Sequence, residues 1–526
     1  MLTITSPGDL ISSTVKKKIS TKGSSPKYIL ITTCITTFLC YFYEMIWGLG
    51  CPDTLCEGVY YYRNADFSTS QARWMVRYIN ELFGKNIVIP ALIVCIYCLM
   101  LGVSAYIICY MIHIQKPLEQ ILITSMMISF PVVLHHLAYM YMSIVFSFSF
   151  LMVVVGTFLL RKKKVYTVIP GTLCYLLMMG SYQGFIGAIS ALAIVLLISD
   201  TLANDTLKEG FLNFALSAAS GVVACLLNIP VYKLMIRIHN TGMDERVSSF
   251  SFSDIIKNLG FSLKYSYIWF FNLFKTDTLS RNRIYAIIFG VMIILTVFIV
   301  IRSIRERKFG VIITIIISLL LLPLAMNIVL LIFPYNGLRM VLWYQFVLVY
   351  PLMFVLHEHS ISGNLGNIMR YISFLAVILM FIGNVITANC TARMYKLCYD
   401  HYKQEFTLAL GRVYELDGYK PNITPILTGG APPLDFIASR YHYIFRYAET
   451  PGSIVFWLDP YGMITCRYNF FADFLGVDAQ NFDTSEYQEI VTGDEYSEMP
   501  LWPESGSVKM IDGMAVIKFT DEPPLY

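Results

Sequence analysis

Charged side chains gather in one short stretch of this chain, CPDTLCEGVYYYRNADFSTSQARW, residues 51–74. Asp53 and Glu57 are four residues apart, and a short helix starting at Pro52 would place both carboxylates on one face. A carboxylate can accept the proton of a sugar hydroxyl that acts as a nucleophile. An arginine such as Arg73 can hold a phosphate leaving group through paired hydrogen bonds.

Two interpretations of this stretch are open on spacing alone. The first is an active-site loop in which Asp53, Glu57 or Asp66 is the general base. The second is a solvated connector whose charges keep it out of the bilayer, because short acidic patterns are common in proteins.

The next segment, QARWMVRYINELF, has the pattern of an amphipathic helix. Its apolar and charged side chains fall on different faces at helical spacing: Trp74, Ile79 and Leu82 against Arg73, Arg77 and Glu81. Such a helix lies along a membrane interface. Arg73 and Arg77 are therefore candidates for contact with a phosphate at that level.

The charges of this loop stand out because the rest of the chain is strongly apolar. The chain has 526 residues, of which 56% are hydrophobic and only 14% charged, with a mean hydropathy of +0.61. Apolar runs of about 20 residues recur from residue 28 to residue 390, each long enough to cross a hydrocarbon layer of about 30 Å. The sequence predicts an all-α polytopic membrane protein with a small C-terminal α/β domain.

The length criterion predicts about eleven transmembrane helices. We place them at 28–48, 87–112, 119–138, 141–160, 165–181, 183–200, 211–233, 284–301, 309–333, 339–357 and 371–390. Lysine and arginine clusters at 16–27, 161–164 and 302–308 then fall on one side, which predicts a cytoplasmic N-terminus. The odd number of spans puts the C-terminus outside.

This topology divides the chain into three parts. Residues 1–27 form a cytoplasmic segment without a signal-peptide core, and residues 28–390 form the transmembrane domain with outward loops at 49–86 and 234–283. A surface helix is predicted near 254–275. Residues 391–526 form the extracytoplasmic domain, in which PNITPILTGG and GSIVFWLDP are predicted as strands and turns and MYKLCYDHYKQEFTLALGRVYEL as a helix.

Several classes of function find no support in the sequence. The net charge of +4 is spread over many loops and gives no reason to expect nucleic-acid binding. The 12 cysteines show no zinc-type spacing, so we expect no zinc site and name no metal ligands, although disulfides outside the membrane are compatible with the cysteine positions. No phosphate-cradling glycine-rich loop follows a strand, and no internal repeat is present.

The order of motifs along the chain resembles a known family. A long span, PDTLCEG, aromatics, a further acid, ARW and an amphipathic helix leading into NIVIP are similar to the serotype-converting O-antigen glucosyltransferases, which are GT-C-type polytopic membrane glycosyltransferases. SFPVVLHHLAYMYMSIVFSFSF and GSYQGFIGAISALAI resemble that family's Pro-then-Tyr hairpin and its Tyr-Gln segment. The chain departs from the family's usual Gly-Arg by having Ala72 before Arg73.

This resemblance implies a function and a place in the cell. The expected enzyme is an inverting glycosyltransferase of the bacterial inner membrane that moves a sugar, glucose above all, from a polyprenyl-phosphate carrier to a surface polysaccharide such as O-antigen. It implies a catalytic acid among Asp53, Glu57 and Asp66. The sequence is compatible with a divalent metal and with a separate carrier synthase and flippase, and it identifies none of them.

Four further residues are candidate substrate ligands, each with a structural alternative. His136, predicted near the outward end of a span, could bind substrate or be a hydrogen-bonded structural histidine. Tyr182 and Gln183 lie in a predicted outward turn, where Gln183 could bond sugar hydroxyls or cap a helix. Arg339 could pair with the carrier phosphate or extend to lipid headgroups. Glu44 could be a buried partner of an arginine or simply lie at the interface.

The alternative function is a polysaccharide flippase or polymerase without this transfer activity. A transporter would be expected to carry charges or broken helices near the membrane midplane. In this chain the charges lie at the predicted span ends instead, which favours surface chemistry. The acids of the first loop argue against a polymerase.

Overall fold

The fold is described from a computed structural model. It describes residues 25–48, 50–62, 65–204, 207–244, 252–273, 281–331, 340–360, 364–450, 466, 469–478 and 483–521. The chain is mostly helical, as its composition predicts.

The first half contains ten helices, several of which begin at a proline, the residue suited to a first helical turn. They are α1 (Pro26–Trp47), α2 (Pro52–Glu57), α3 (Ala65–Ser70), α4 (Met75–Gly84), α5 (Pro90–Met111), α6 (Pro117–Ser129), α7 (Val132–Ala138), α8 (Met140–Leu160), α9 (Val165–Ser181) and α10 (Ile186–Asn204). A 3-10 turn, Gln183–Phe185, joins α9 to α10.

Within the described residues, the second half of the chain contains six more long or buried helices, followed by the shorter elements of the tail. Its helices are α11 (Leu207–His239), α12 (Phe252–Leu273), α13 (Arg281–Arg305), α14 (Phe309–Met326), α15 (Val349–His359) and α16 (Asn364–Tyr414). The remaining elements are β1 (Ile426–Gly429), α17 (Asp435–Arg440), α18 (His442–Tyr447), α19 (Thr484–Thr492), α20 (Asp494–Ser497), β2 (Val508–Ile511) and β3 (Met514–Lys518).

Several of these helices fit a multi-pass membrane protein. Within the described ranges, eight are long and apolar enough to cross a bilayer, namely α1, α5, α8, α10, α11, α13, α14 and α16. The pair α6 and α7, bent by 43° at a short break, would make a ninth span. Helix α9 is apolar but shorter, at 17 residues.

The predicted number of eleven spans is not confirmed. The apolar run predicted as a span at 339–357 forms two short 3-10 turns and α15, which has only 11 residues. Tyr344, Phe346 and Val347 are at most 1% exposed, so this run is apolar because it lies inside the bundle. A short apolar helix is more often part of a buried core than a span.

Helix α16 is much longer than the span predicted at 371–390. The expected last span and the expected first helix of the tail are one continuous helix of 51 residues, about 75 Å long at the usual rise per residue. Its later turns, including Tyr399, Tyr402 and Phe406, are buried in a second hydrophobic cluster together with the C-terminal sheet. The membrane bundle and the tail therefore share one rigid element.

The tail contains a three-stranded sheet of order β1-β3-β2. Strand β1 pairs in parallel with β3, with Leu427 opposite Val516, and β2 pairs antiparallel with β3. The strand predicted in PNITPILTGG is confirmed as β1, whereas GSIVFWLDP lies outside the described residues. The helix predicted near 254–275 is confirmed as α12.

Candidate active site

The short helix predicted in the charged loop is present as α2. It begins at Pro52 and ends at Gly58, whose φ of 109° suits glycine and whose N–H donates to the Thr54 carbonyl. Asp53 is exposed on this helix, whereas Glu57 is only 7% exposed. One helix thus carries one solvated and one buried carboxylate.

Glu57 has the properties expected of a general base. Its Oε2 atom is buried and has no hydrogen-bond partner among the described residues. Burial, and then the negative charge of Asp53, raise the pKa of the Glu57 carboxyl to about 8. A base is most effective when its pKa lies near the working pH.

Two stacked tyrosines lie between Glu57 and the basic part of the loop. The rings of Tyr62 and Tyr141 are 5.3 Å apart and within 11° of parallel, and both phenols interact electrostatically with Glu57 and with Arg73. Tyr62 shares a hydrogen bond of 2.8 Å with the Ser68 hydroxyl. Burial raises the pKa of the Tyr62 phenol, so it stays neutral. The run of tyrosines in the loop indicated that a phenol could lie near the acids, but it did not single out Tyr62. Tyr141 could not be found in this way, because it lies on a separate helix, α8.

Arg73 is the basic group of this cluster. Its Nε is buried and has no hydrogen-bond partner in the described part of the chain. Its guanidinium carbon lies 5.0 Å from the centre of the Tyr182 ring, a cation–π contact that orients the planar group. Tyr182 is 7% exposed and its ring packs edge-on against Phe146. The predicted substrate ligand Tyr182 therefore holds Arg73 in place.

The residue after Arg73 anchors the loop in the helical bundle. The Trp74 indole donates a hydrogen bond of 2.9 Å to the side-chain oxygen of Asn228 in α11. It packs directly over Gly180 of α9, where any Cβ would collide with the indole ring. This deep anchor fixes the position of the Arg73 backbone. The sequence pattern placed Trp74 on an apolar face but could not identify Asn228 or Gly180 as its partners.

The backbone turn before Arg73 bears on the departure from Gly-Arg, because its conformation favours glycine at the position that Ala72 occupies. Ala72 has a φ of 62°, a left-handed conformation that favours glycine and costs other residues about 1–2 kcal/mol. The Ala72 carbonyl accepts a hydrogen bond of 2.7 Å from the Gln183 amide, which holds the turn. Gln183, predicted as a sugar ligand, uses its amide donor to position the loop.

Asp66 and Arg77 form an ion pair with each other. Arg77 also contacts the Nδ1 atom of His239 at the end of α11, and it is 24% exposed whereas Asp66 is 64% exposed. This pair joins α3, α4 and α11. Asp66, one of the three predicted acids, is thus already paired with an arginine.

His136 is fully buried, with both ring nitrogens hydrogen-bonded. Its Nε2–H donates to the Val341 carbonyl at 2.9 Å, and Nδ1 therefore accepts from the Tyr97 hydroxyl at 2.7 Å. The ring also stacks on Phe146 at 4.3 Å. These contacts favour a positioning role for His136 over direct contact with substrate. Arg339 lies outside the described residues.

A groove opens beside the two stacked tyrosines. It encloses a cavity volume of only about 20 Å³ and is open to the surface between α4, α5 and α8. Its walls are mostly apolar, and Ile87, Ile89 and Leu92 on its open side are 53%, 44% and 40% exposed. Tyr62 and Tyr141 close its inner end. Among the described residues, no group of three or more potential metal ligands is present.

Comparison with known proteins identifies the family. Residues 57–356 match a family described as glucosyl transferase GtrII, which covers 300 of the 526 residues. The match includes Glu57, both tyrosines, Arg73 and Gln183, whereas Asp53 and the tail lie outside it. Neither a curated protein nor a solved structure matches the chain significantly. The chain therefore belongs to the glucosyl transferase GtrII family of serotype-converting O-antigen glucosyltransferases.

Proposed function

We propose that this protein is an inverting membrane glucosyltransferase that moves glucose from a polyprenyl-phosphate donor to a surface polysaccharide such as O-antigen, on the outer side of the bacterial inner membrane. The observation that carries the proposal is that Glu57 and Arg73 interact with the same two phenols, those of Tyr62 and Tyr141. Glu57 Oε2 and Arg73 Nε are both buried and have no hydrogen-bond partner among the residues that the structure describes. A base and an anion ligand are the two groups that transfer from a phosphate carrier needs.

In the proposed reaction, an acceptor hydroxyl attacks the anomeric carbon of the donor. Glu57 takes the hydroxyl proton as the new carbon–oxygen bond forms. The bond between the anomeric carbon and the carrier phosphate breaks, and the polyprenyl phosphate leaves with both bonding electrons. Arg73 stabilises the charge that develops on this phosphate, with Arg339 as a second basic group. Attack from the face opposite the phosphate inverts the anomeric configuration.

The other predicted residues keep the two reacting groups in place. Tyr182 orients the Arg73 guanidinium, and Gln183 holds the turn at Ala72. Arg77 and Asp66 tie the loop to α11, and His136 fixes α7 against the buried 340–348 segment. Positioning of this kind supplies a large part of enzymatic rate enhancement.

The groove beside Tyr62 and Tyr141 is the proposed site of the donor's isoprenoid chain. Its exposed isoleucine and leucine side chains present apolar surface where a lipid would enter from the bilayer. Its inner end is formed by the tyrosines that also interact with Glu57 and Arg73. A chain bound there would carry its phosphate toward Arg73.

Two observations support an outer location for the site. The lysine and arginine clusters favour a cytoplasmic N-terminus, which would put the loop after α1 on the outer side of the membrane. A disulfide joins Cys56 of this loop to Cys466 of the tail, and disulfides persist in oxidising compartments outside the cytoplasm. This second argument does not depend on the number of spans.

The proposal is tested with purified protein in lipid vesicles. Labelled glucose is supplied on a synthetic polyprenyl phosphate or on a nucleotide, with surface polysaccharide from the bacterium that carries the gene as acceptor. We expect label in the polysaccharide from the lipid donor alone. Transfer from the nucleotide donor would contradict the donor assignment, and movement of lipid-linked glycan across vesicles without any transfer would support the flippase alternative.

The pH dependence of transfer should reflect the ionisation of the Glu57 carboxyl. Because the base must be ionised, kcat/KM is expected to rise with pH and level off above about 8, the pKa of Glu57. The Asp53→Asn variant removes the neighbouring negative charge, so its rising limb should move to lower pH. An Asp53→Asn profile identical to that of the wild type would contradict this account of the pKa.

A further inference from the structure

The tail contacts the helix that carries Glu57, although the two are more than 400 residues apart in sequence. Cys56, the residue before Glu57, forms a disulfide with Cys466. The Asn469 side-chain amide donates to the carbonyl oxygens of Leu55 at 2.5 Å and Cys56 at 3.3 Å. Both carbonyls belong to the last turn of α2, where backbone acceptors have no partner within the helix.

Apolar packing extends this contact. The Leu55 side chain is fully buried in the hydrophobic cluster of the tail, together with Tyr399 and Phe470. The Tyr399 hydroxyl donates a hydrogen bond of 2.8 Å to the Gly50 carbonyl just before α2. The tail thus holds the start and the end of α2.

Helix α2 depends on such outside contacts because it has only six residues. A helix of this length is not stable by itself in water. The transmembrane bundle holds α2 around Thr54. The Cys51 N–H and the Thr54 hydroxyl both donate to the Ala138 carbonyl, at 3.0 and 2.6 Å, and the Met140 N–H donates to the Thr54 hydroxyl oxygen at 3.3 Å. The tail contacts hold the last turn of α2, which bears Glu57.

We propose that the C-terminal segment around Cys466 and Asn469 is a positioning clamp for the catalytic carboxylate, so that glucosyl transfer requires the Cys56–Cys466 disulfide. The inference rests on the proposed role of Glu57. It gives the tail, which lies outside the residues matched by the family, a part in catalysis.

The clamp acts by keeping Glu57 buried among defined neighbours. Asp53 on α2 and the phenols of Tyr62 and Tyr141 interact with Glu57, and Arg73 interacts with the same two phenols. Reduction of the disulfide takes two electrons and two protons from a dithiol, which itself becomes a disulfide, and leaves two protein thiols. The freed end of α2 would admit water to Glu57 and displace it from the acceptor.

The test compares full-length wild-type protein, before and after treatment with dithiothreitol, with the Cys56→Ser/Cys466→Ser and Asn469→Leu variants. We expect kcat/KM to fall on the order of 10- to 100-fold in the reduced and variant proteins, as for a misplaced catalytic group. We also expect the rising limb of their pH profiles to move to lower pH, because a hydrated Glu57 has a lower pKa. Cys34→Ser, at an exposed free cysteine of α1, is the matched control and should behave as the wild type.

The outcomes separate this inference from the proposed function. Wild-type transfer with unchanged kcat/KM in the reduced protein and in Asn469→Leu would overturn the clamp and leave the transferase assignment intact. A loss of activity at every pH without movement of the limb would also overturn it, since that is the effect of a merely structural contact. Absence of transfer by the oxidised wild type would contradict the proposed function itself.

Discussion

Glu57→Gln is expected to lower the rate of glucosyl transfer by about 10²- to 10⁴-fold, the usual contribution of a general base. The amide keeps the size and the burial of the side chain but cannot accept the acceptor's proton at neutral pH. Because the carboxyl is already buried, and one of its oxygens has no hydrogen-bond partner within the described ranges, the neutral amide should not destabilise α2. The measurement is single-turnover transfer from the lipid donor, with protein amount and folding checked by detergent size exclusion.

The matched controls are the other two acids of the loop. Asp53→Asn should keep most of the activity, because Asp53 is exposed and its proposed part is to raise the Glu57 pKa. Asp66→Asn should have a smaller effect than Glu57→Gln, because Asp66 acts through Arg77. If Asp53→Asn or Asp66→Asn abolishes transfer while Glu57→Gln is active, the base is another residue.

Replacement of Arg73 should have the second large effect. Arg73→Ala is expected to lower kcat on the order of 10²- to 10³-fold, since it removes the group that stabilises the leaving phosphate. Arg73→Lys should recover only part of this loss, because an ammonium lacks the planar fork that binds two phosphate oxygens and stacks on Tyr182. Donor KM and kcat, measured separately, distinguish binding of the carrier from stabilisation of its departure.

Arg237→Ala is the control for loss of positive charge, since Arg237 is an exposed arginine of α11. It should transfer at the wild-type rate. Equal losses in Arg237→Ala and Arg73→Ala would show that general surface charge, and not a directed contact, supports the reaction.

Local sequence patterns predicted α2, the helix that bears Glu57. Pro52 and Gly58 mark its two ends, and Trp74 and Ile79 define the buried side of the following amphipathic helix. These features depend on neighbouring residues, so a single sequence contains them. The left-handed turn at Ala72 was signalled only by the family's preference for glycine at this position.

Contacts between residues that are far apart in the sequence could not be predicted from the sequence alone. The contacts of Glu57 and Arg73 with Tyr141, and of α2 with Cys466 and Asn469, join segments that only the fold brings together. The number of spans stays a prediction for a related reason. Apolar length does not distinguish a helix in lipid from a segment buried among other helices, as the 344–357 segment shows.

The central claim is that the loop bearing Glu57 works at the outer face of the membrane, and a site-directed label tests it most directly. The Tyr60 side chain, three residues after Glu57, is 58% exposed, so Tyr60→Cys offers an accessible thiol. In intact spheroplasts, we expect a membrane-impermeant maleimide to label Tyr60→Cys above the wild-type background. Labelling only in inverted vesicles, where the cytoplasmic face is outside, would contradict the account.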